Sequence, residues 1–379
     1  MSKDLLSKLK GNRATFVVHS NHPFAAVAAA GAMMGRAQEA GSYFEFSDAL
    51  IPTVKLSGDS GSISGQLVAD FTADWADYLR RTGLPSCGLK FESATRLKLK
   101  TPAQVVEENT MRLLNAHRRI PLAKPRAVHE SRELSIPHEF AQDYLALKEI
   151  IRTGVDLKPY LSRDILKKRR PDKNDCVLNA WGFQHLHFRP HGTGHILFSK
   201  ITNSDVFAIQ AFPHDDDGLW VKDELIEIMH VNWPKEIACG ILRGLPPNEG
   251  GHEPEKRVQL RGYNANFITT TKDGTQYLAP GGGLMTSGDC AEDRLNCDKI
   301  FSELKYWQEV TGKSEAELRT ALHWSPSQSL RMKMMFDNCK FCIYEATSGI
   351  RVGFNLPKEN RQCITEPLGD AEERCSQLS

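Results

Sequence analysis

Residues 181–201 read WGFQHLHFRPHGTGHILFSKI, and residues 206–212, beyond the polar break Thr202-Asn203-Ser204-Asp205, read VFAIQAF. The runs on either side of that break are apolar and rich in β-branched or aromatic side chains. They predict two strands, Ile196 to Ile201 and Val206 to Phe212, joined as a hairpin by a four-residue connection. Trp181 to Phe188 precedes them as a further strand. Trp220 to His230 then carries Leu225, Ile226, Ile228 and Met229 as the apolar side of an amphipathic helix, closed by Trp233-Pro234. Upstream, Phe140, Tyr144, Leu147 and Ile151 share one helical face that Gly154 terminates. Helices flanking a meander of strands predict an α+β (or α/β) fold with mixed sheets.

Working outward, the chain of 379 residues is long enough for two or three domains. Residues 121–137 (PLAKPRAVHESRELSIP) hold three prolines and little apolar periodicity, so they read as a linker. The segments predicted on this basis are 1–120 as an N-terminal α/β domain, 138–235 as a central histidine-rich α+β domain, 255–357 as a C-terminal α+β domain, and 358–379 as a loose polar tail. No internal repeat is visible. In the first segment, Ala14 to Val18, the turn His19 to Pro23 and the small-residue stretch to Gly41 read as one βα unit, whose glycine spacing fits neither a dinucleotide nor a P-loop pattern. The composition of residues 57–67 is that of a loop. Val68, Phe71, Trp75, Tyr78 and Leu79 recur at helical spacing up to Gly83, and Thr101-Pro102 with Gln104 has the form of a capping box opening a helix to about His117. The third segment reads as strands from about Val258 with a turn at Asp273-Gly274. Helices over Ala291 to Val310 and after a Ser314…Glu317 box follow, and strands near Phe341 to Glu345 and Ile350 to Phe354 come last.

Hydrophobic content of 40% and charged content of 25% are those of an ordinary globular protein, and 48 basic against 47 acidic residues give a net charge of +1. Affinity for a polyanion must therefore come from local patches. No run approaches the ~20 apolar residues that span a bilayer, and MSKDLLSKLKGNR lacks a signal-peptide apolar core. Nine scattered cysteines fit a reducing cytoplasm better than a disulfide framework. A cytoplasmic protein without a membrane partner is expected.

The chemistry concentrates in the central stretch. Six of the 13 histidines lie there: His185, His187, His191, His195, His214 and His230. On a strand, His185 and His187 project to one face. Such a pair can act without metal, one imidazole as general base and another as general acid. It can also give two ligands to a divalent ion such as zinc, with His214 or Asp215 as a third. A third reading makes the imidazoles satisfied structural residues. Asp215, Asp216 and Asp217 read most simply as the N-cap of the following helix. Before the histidines, residues 152–173 carry eight basic side chains, among them Arg163, Lys167, Lys168, Arg169, Arg170 and Lys173, against Asp156, Asp164 and Asp172. This excess predicts either a nucleic-acid surface or a solvated basic face. Cys290, Cys297, Cys339 and Cys342 could form a second zinc site, but their irregular spacing suits buried thiols as well.

Helices followed by a meander with basic and histidine residues and a closing helix, over about Glu139 to Pro234, resemble the RelE-type ribonuclease toxins. The resemblance covers a quarter of the chain and implies RNA cleavage on a positively charged sheet face without a cofactor. Arg189, Lys200 and His214 are the matching residue types, Arg189 and Lys200 stabilising the charged phosphate. It also implies an inhibitory protein partner. The triple aspartate and the length of the chain depart from that family. The expectation is thus a nucleic-acid hydrolase, an RNA-cleaving enzyme using His185, His187 and His214. The alternatives are a metal-dependent hydrolase and a non-catalytic nucleic-acid- or partner-binding protein.

Overall fold

A computed structural model describes residues 53–56, 67–99, 101–162, 175–190, 192–216, 218–244, 252–337 and 340–354. The stretch containing His19 and His22, the loop at 57–66, the basic residues Arg163, Lys167, Lys168, Arg169, Arg170 and Lys173, then His191, Asp217, Cys339 and the C-terminal tail lie outside the described residues.

The eleven strands described are, in chain order, β1 (Thr53–Leu56), β2 (Leu67–Ala69), β3 (Ala127–Glu130), β4 (Gln184–His187), β5 (His195–Ile201), β6 (Asp205–Pro213), β7 (Ile268–Thr270), β8 (Gln276–Leu278), β9 (Leu330–Asp337), β10 (Lys340–Glu345) and β11 (Arg351–Phe354). The principal helices are α1 (Phe71–Tyr78), α2 (Pro102–Arg119), α3 (Ala141–Thr153), α4 (Cys176–Trp181), α5 (Glu224–Asn232), α6 (Pro254–Gly262), α7 (Ala291–Lys313) and α8 (Glu315–Leu322). Parallel and antiparallel pairs occur in the same sheets, with helices flanking them, so the class is α+β.

Among the described residues two compact units form, one from 53–110 with 297–354 and one from 111–296. In the first unit the strand order is β1-β11-β10-β9-β2, so strands from both ends of the chain share one sheet. Phe71, Trp75 and Leu79 of the α1 region are buried, as are Leu330, Met332 and Met334 on one side of β9. Asp74 receives the Met334 backbone N–H at 2.8 Å and the Lys333 ammonium at 2.7 Å. The helix read from Val68 starts later than its spacing suggested, because Leu67–Ala69 pairs with β9 first and Asp70 caps α1 through the Ala73 N–H.

The second unit is built on the order β3-β6-β5-β4. β5 and β6 form the hairpin read from the sequence, with a register shift at Phe198/Ser199. β3 pairs parallel to β6 along the other edge, so the proline-containing stretch 121–137 contributes a strand where a linker was expected. Ile196, Phe198, Phe207 and Ile209 pack with Leu225, Ile226 and Met229 of α5 and with Trp181 of α4 in one core. Gly154 ends α3 at φ +79°, a left-handed position that glycine adopts without a Cβ penalty. The capping box at Thr101 forms in both directions at 3.2 Å with Gln104.

Three expectations fail locally. Val258 lies in helix α6 rather than a strand, where Pro254 occupies the first helical position and suits a start. Ser314 makes no side-chain cap to α8, because its backbone at φ −91°, ψ 12° is not the extended conformation from which an N-cap hydroxyl reaches the first-turn N–H groups. Asp215 and Asp216 do not cap α5. That helix begins at Glu224, and the Asp216 carbonyl instead opens a short 3-10 turn, Leu219–Val221, while its carboxylate pairs with Lys222 at 3.0 Å.

Candidate active site: an imidazole cluster beside Trp220

Strand β4 alternates sides as its sequence requires. Leu186 is fully buried on one face, and His185 and His187 stand together on the other, ring centroids 6.1 Å apart. The chain then returns through β5 and β6, and the turn after Pro213 delivers His214, whose N–H donates to the Gly194 carbonyl at 2.8 Å. Its exposed ring stacks on that of His187, centroids 5.7 Å apart with an interplanar angle of 13°. Trp220, on the 3-10 turn, sits edge-on to His185 at 5.2 Å and to His214 at 5.9 Å. It is 36% exposed, so one side of the cluster is an accessible aromatic surface. Three imidazoles from two distant points of the chain therefore meet.

Their protonation is set by different neighbours. The Thr193 backbone N–H donates to His187 Nδ1 at 3.0 Å. A backbone amide can only donate, so Nδ1 is an acceptor and the neutral ring carries its proton on Nε2. The Thr193 hydroxyl oxygen also lies 3.4 Å from Nδ1, accepts the Phe188 N–H at 3.3 Å and donates its own proton to the His195 carbonyl. His185 has the opposite surroundings. Its Nδ1 faces the Asp175 carboxylate at 3.7 Å, and Asp175 is itself fixed by accepting the Leu178 N–H at 3.0 Å as the cap of α4. Burial pushes the His185 pKa below the ordinary imidazole value, opposed by Asp175 and reinforced by the charges of His214 and Arg119. His185 is therefore neutral near pH 7.

Neither expected charge stabiliser is aimed at this cluster. The Arg189 guanidinium is held by Asp143 of α3 at 2.7 Å and lies over the Phe140 ring, and that pairing raises its pKa while lowering that of Asp143. The Lys200 ammonium donates to the Glu236 carbonyl, and burial lowers its pKa. Asp215 is exposed beside His214. Among the described residues no group of three or more His, Cys, Asp or Glu side chains is placed to hold a metal ion. Cys290 and Cys297 are buried thiols, and burial pushes Cys290 up to about 11. No described helix is long and apolar enough to cross a membrane.

Sequence reasoning missed Asp175 and Trp220. Asp175 follows the basic stretch and is visible only as a helix cap, and Trp220 reads as the apolar start of a helix. His230, also in the central stretch, is drawn into a separate tie between Tyr277 Oη at 2.9 Å and Asp273 at 2.8 Å. No protein-family model, curated protein or solved structure matches the chain.

Proposed function

We propose that the second unit is a metal-independent, RNA-cleaving hydrolase whose centre is His185, His187 and His214. The observation that carries this reading is the amide-to-imidazole bond from Thr193 to His187 set against the carboxylate facing His185. With Nδ1–H turned to Asp175, His185 offers its Nε2 lone pair as a base. His187, held with its proton on Nε2, offers a neutral hydrogen-bond donor for developing negative charge. The exposed His214 is the acid that protonates the leaving oxygen.

A base, a donor and an acid without an attacking group suit a substrate that carries its own nucleophile. RNA is such a substrate: the 2′-hydroxyl loses its proton to His185 and attacks the adjacent phosphorus. The 5′-oxygen then leaves with a proton from His214, giving a 2′,3′-cyclic phosphate. Trp220 supplies a face on which a base can stack, as single-stranded RNA recognition requires. The metal-dependent alternative fits less well, because His187 could ligate through Nδ1 only by giving up the lone pair that accepts the Thr193 amide, and through Nε2 only by placing its ring proton on Nδ1, against that same N–H.

The test uses the full chain with a short RNA and the same strand bearing 2′-deoxy sugars. Expected results are cyclic-phosphate products from RNA only, activity unaffected by a chelator, and at least 100-fold loss in His185→Ala/His187→Ala. Cleavage undiminished in the double variant, or equal cleavage of the deoxy strand, overturns the proposal. A stoichiometric metal that disappears in the double variant would return the site to the metal-dependent reading.

A further inference from the structure

The five-stranded sheet of the first unit has one apolar face and one polar face. Leu330, Met332 and Met334 of β9, Ile343 of β10 and Val352 of β11 are buried on the first. The residues that alternate with them belong to the second. There Lys333 of β9 pairs across to Tyr344 of β10, and Tyr344 pairs across to Arg351 of β11. One row over three strands therefore reads cation, phenol, cation, with directly opposite Cβ atoms about 4.5–5.5 Å apart. Arg331, two residues from Lys333 along β9, is exposed and is a diagonal neighbour of Tyr344. It pairs in turn with Val68 of β2, which is 55% exposed. The Lys333 side chain is 47% exposed, and Tyr344 and Arg351 are half-buried. Asp74 of α1 meets the row at its edge, accepting from the Lys333 ammonium at 2.7 Å, which fixes that side chain and neutralises one cation of the three. Asp70 and Asp77 act on the row electrostatically from the same region.

A single strand of nucleic acid presents phosphates along its backbone and unstacked base faces beside them. Cations follow the phosphates, and an aromatic side chain stacks on any base. The row across β9, β10 and β11 offers both at cross-strand spacing. A duplex hides its base faces, and an acidic peptide would engage the cations but leave the phenol ring unused. We propose that this sheet face, through Arg331, Lys333, Tyr344 and Arg351, binds single-stranded nucleic acid. The inference concerns binding in the first unit and holds whether or not the imidazole cluster of the second unit cleaves RNA.

The probe is a fluorescein-labelled single strand of about 12 nucleotides with 2′-O-methyl sugars, which lack the free hydroxyl that the proposed cleavage requires. Fluorescence anisotropy measures its binding to the full-length protein across a series of salt concentrations. Expected is saturable binding to wild type that weakens as salt rises. Arg331→Gln/Arg351→Gln should bind at least about tenfold more weakly, with the slope of log K against log salt reduced by about 1.4. Tyr344→Leu should lose at least about fivefold with the salt slope unchanged, and Tyr344→Phe, which keeps the ring, should stay within about twofold of wild type. Melting curves establish that each variant is folded. If the double variant does not fold, Arg331→Gln alone decides, with about 0.7 off the slope. Absence of saturable binding to wild type, undiminished binding in the folded variants, a duplex bound as tightly as the single strand, or displacement of the strand by poly-glutamate at equal charge each overturns the proposal.

Discussion

The backbone N–H of Thr193 donates to Nδ1 of His187 at 3.0 Å, so a main-chain group fixes which nitrogen of this imidazole carries the proton. The bond separates what the residue does for the fold from what it does chemically. His187→Asn places an amide oxygen where Nδ1 stood and keeps an acceptor for the Thr193 amide, but removes Nε2. His187→Ala removes both and leaves a part-buried N–H unsatisfied, at about 1–3 kcal/mol. Thermal melting should therefore stay near wild type in His187→Asn and fall in His187→Ala, while both lose RNA cleavage. Retained cleavage in a folded His187→Asn variant would remove His187 from the chemistry.

Asp175 can be tested in the same spirit. Its carboxylate caps α4 and faces His185 Nδ1 at 3.7 Å. Asparagine caps helices as well as aspartate, so Asp175→Asn spares the helix and deletes only the charge. Asp175 raises the His185 pKa against the lowering effect of burial, so the variant's His185 must titrate lower still. The acid limb of the pH–rate profile should move to lower pH, and the plateau should drop because the base is weaker. An unmoved limb with an unchanged plateau would mean that Asp175 serves only α4.

The pH dependence of stability offers a third test, centred on His117. Burial pushes this imidazole down to about 4 from 6.5. Between those two values the unfolded chain binds a proton that the folded one does not, so stability falls as pH drops through the window. The separation corresponds to about 3 kcal/mol once the pH is below both values. Melting temperatures between pH 7 and pH 4 should decline less steeply in His117→Leu than in wild type. Equal slopes would show that His117 contributes nothing to the acid transition.

How much of this was legible follows from the range of the forces involved. The hairpin β5–β6, helix α3 with its Gly154 terminus, and the reciprocal Thr101–Gln104 cap are set by side chains within a few positions of each other, and pattern alone finds them. The pairing of His185 with His187 follows from strand alternation in the same way. The parallel partnerships of β1 with β11 and β3 with β6 join residues far apart in sequence, and no local pattern announces them. The same limit explains Arg189 and Lys200. Their type suited a phosphate, but Asp143 and the Glu236 carbonyl, which claim them, lie 46 and 36 positions away.

Gly281 tests how the site strand is held. A Cβ there would lie 2.0 Å from the Gly182 nitrogen and 2.6 Å from the Trp181 carbonyl carbon, both backbone atoms that cannot turn aside. The contact seats the loop at 280–283 on the end of α4, where the Gly281 N–H donates to the Ala180 carbonyl at 2.9 Å. The Gly281 carbonyl in turn accepts from Arg118 Nη1 at 2.9 Å, and Arg118 grips both oxygens of the buried Asp293 carboxylate. Since β4 starts only two residues after Gly182, displacement of this loop reaches His185 and His187 through α4. Gly274 is the control: it has φ +88° but open space around its Cβ position, so alanine there meets backbone strain alone, about 1–2 kcal/mol. Gly281→Ala should cost more than about 3 kcal/mol, lowering the melting temperature by roughly 6–12 °C for a unit of this size, and should depress cleavage in the fraction that folds. A Gly281→Ala protein melting with Gly274→Ala and cleaving like wild type would show that α4 is positioned by other contacts.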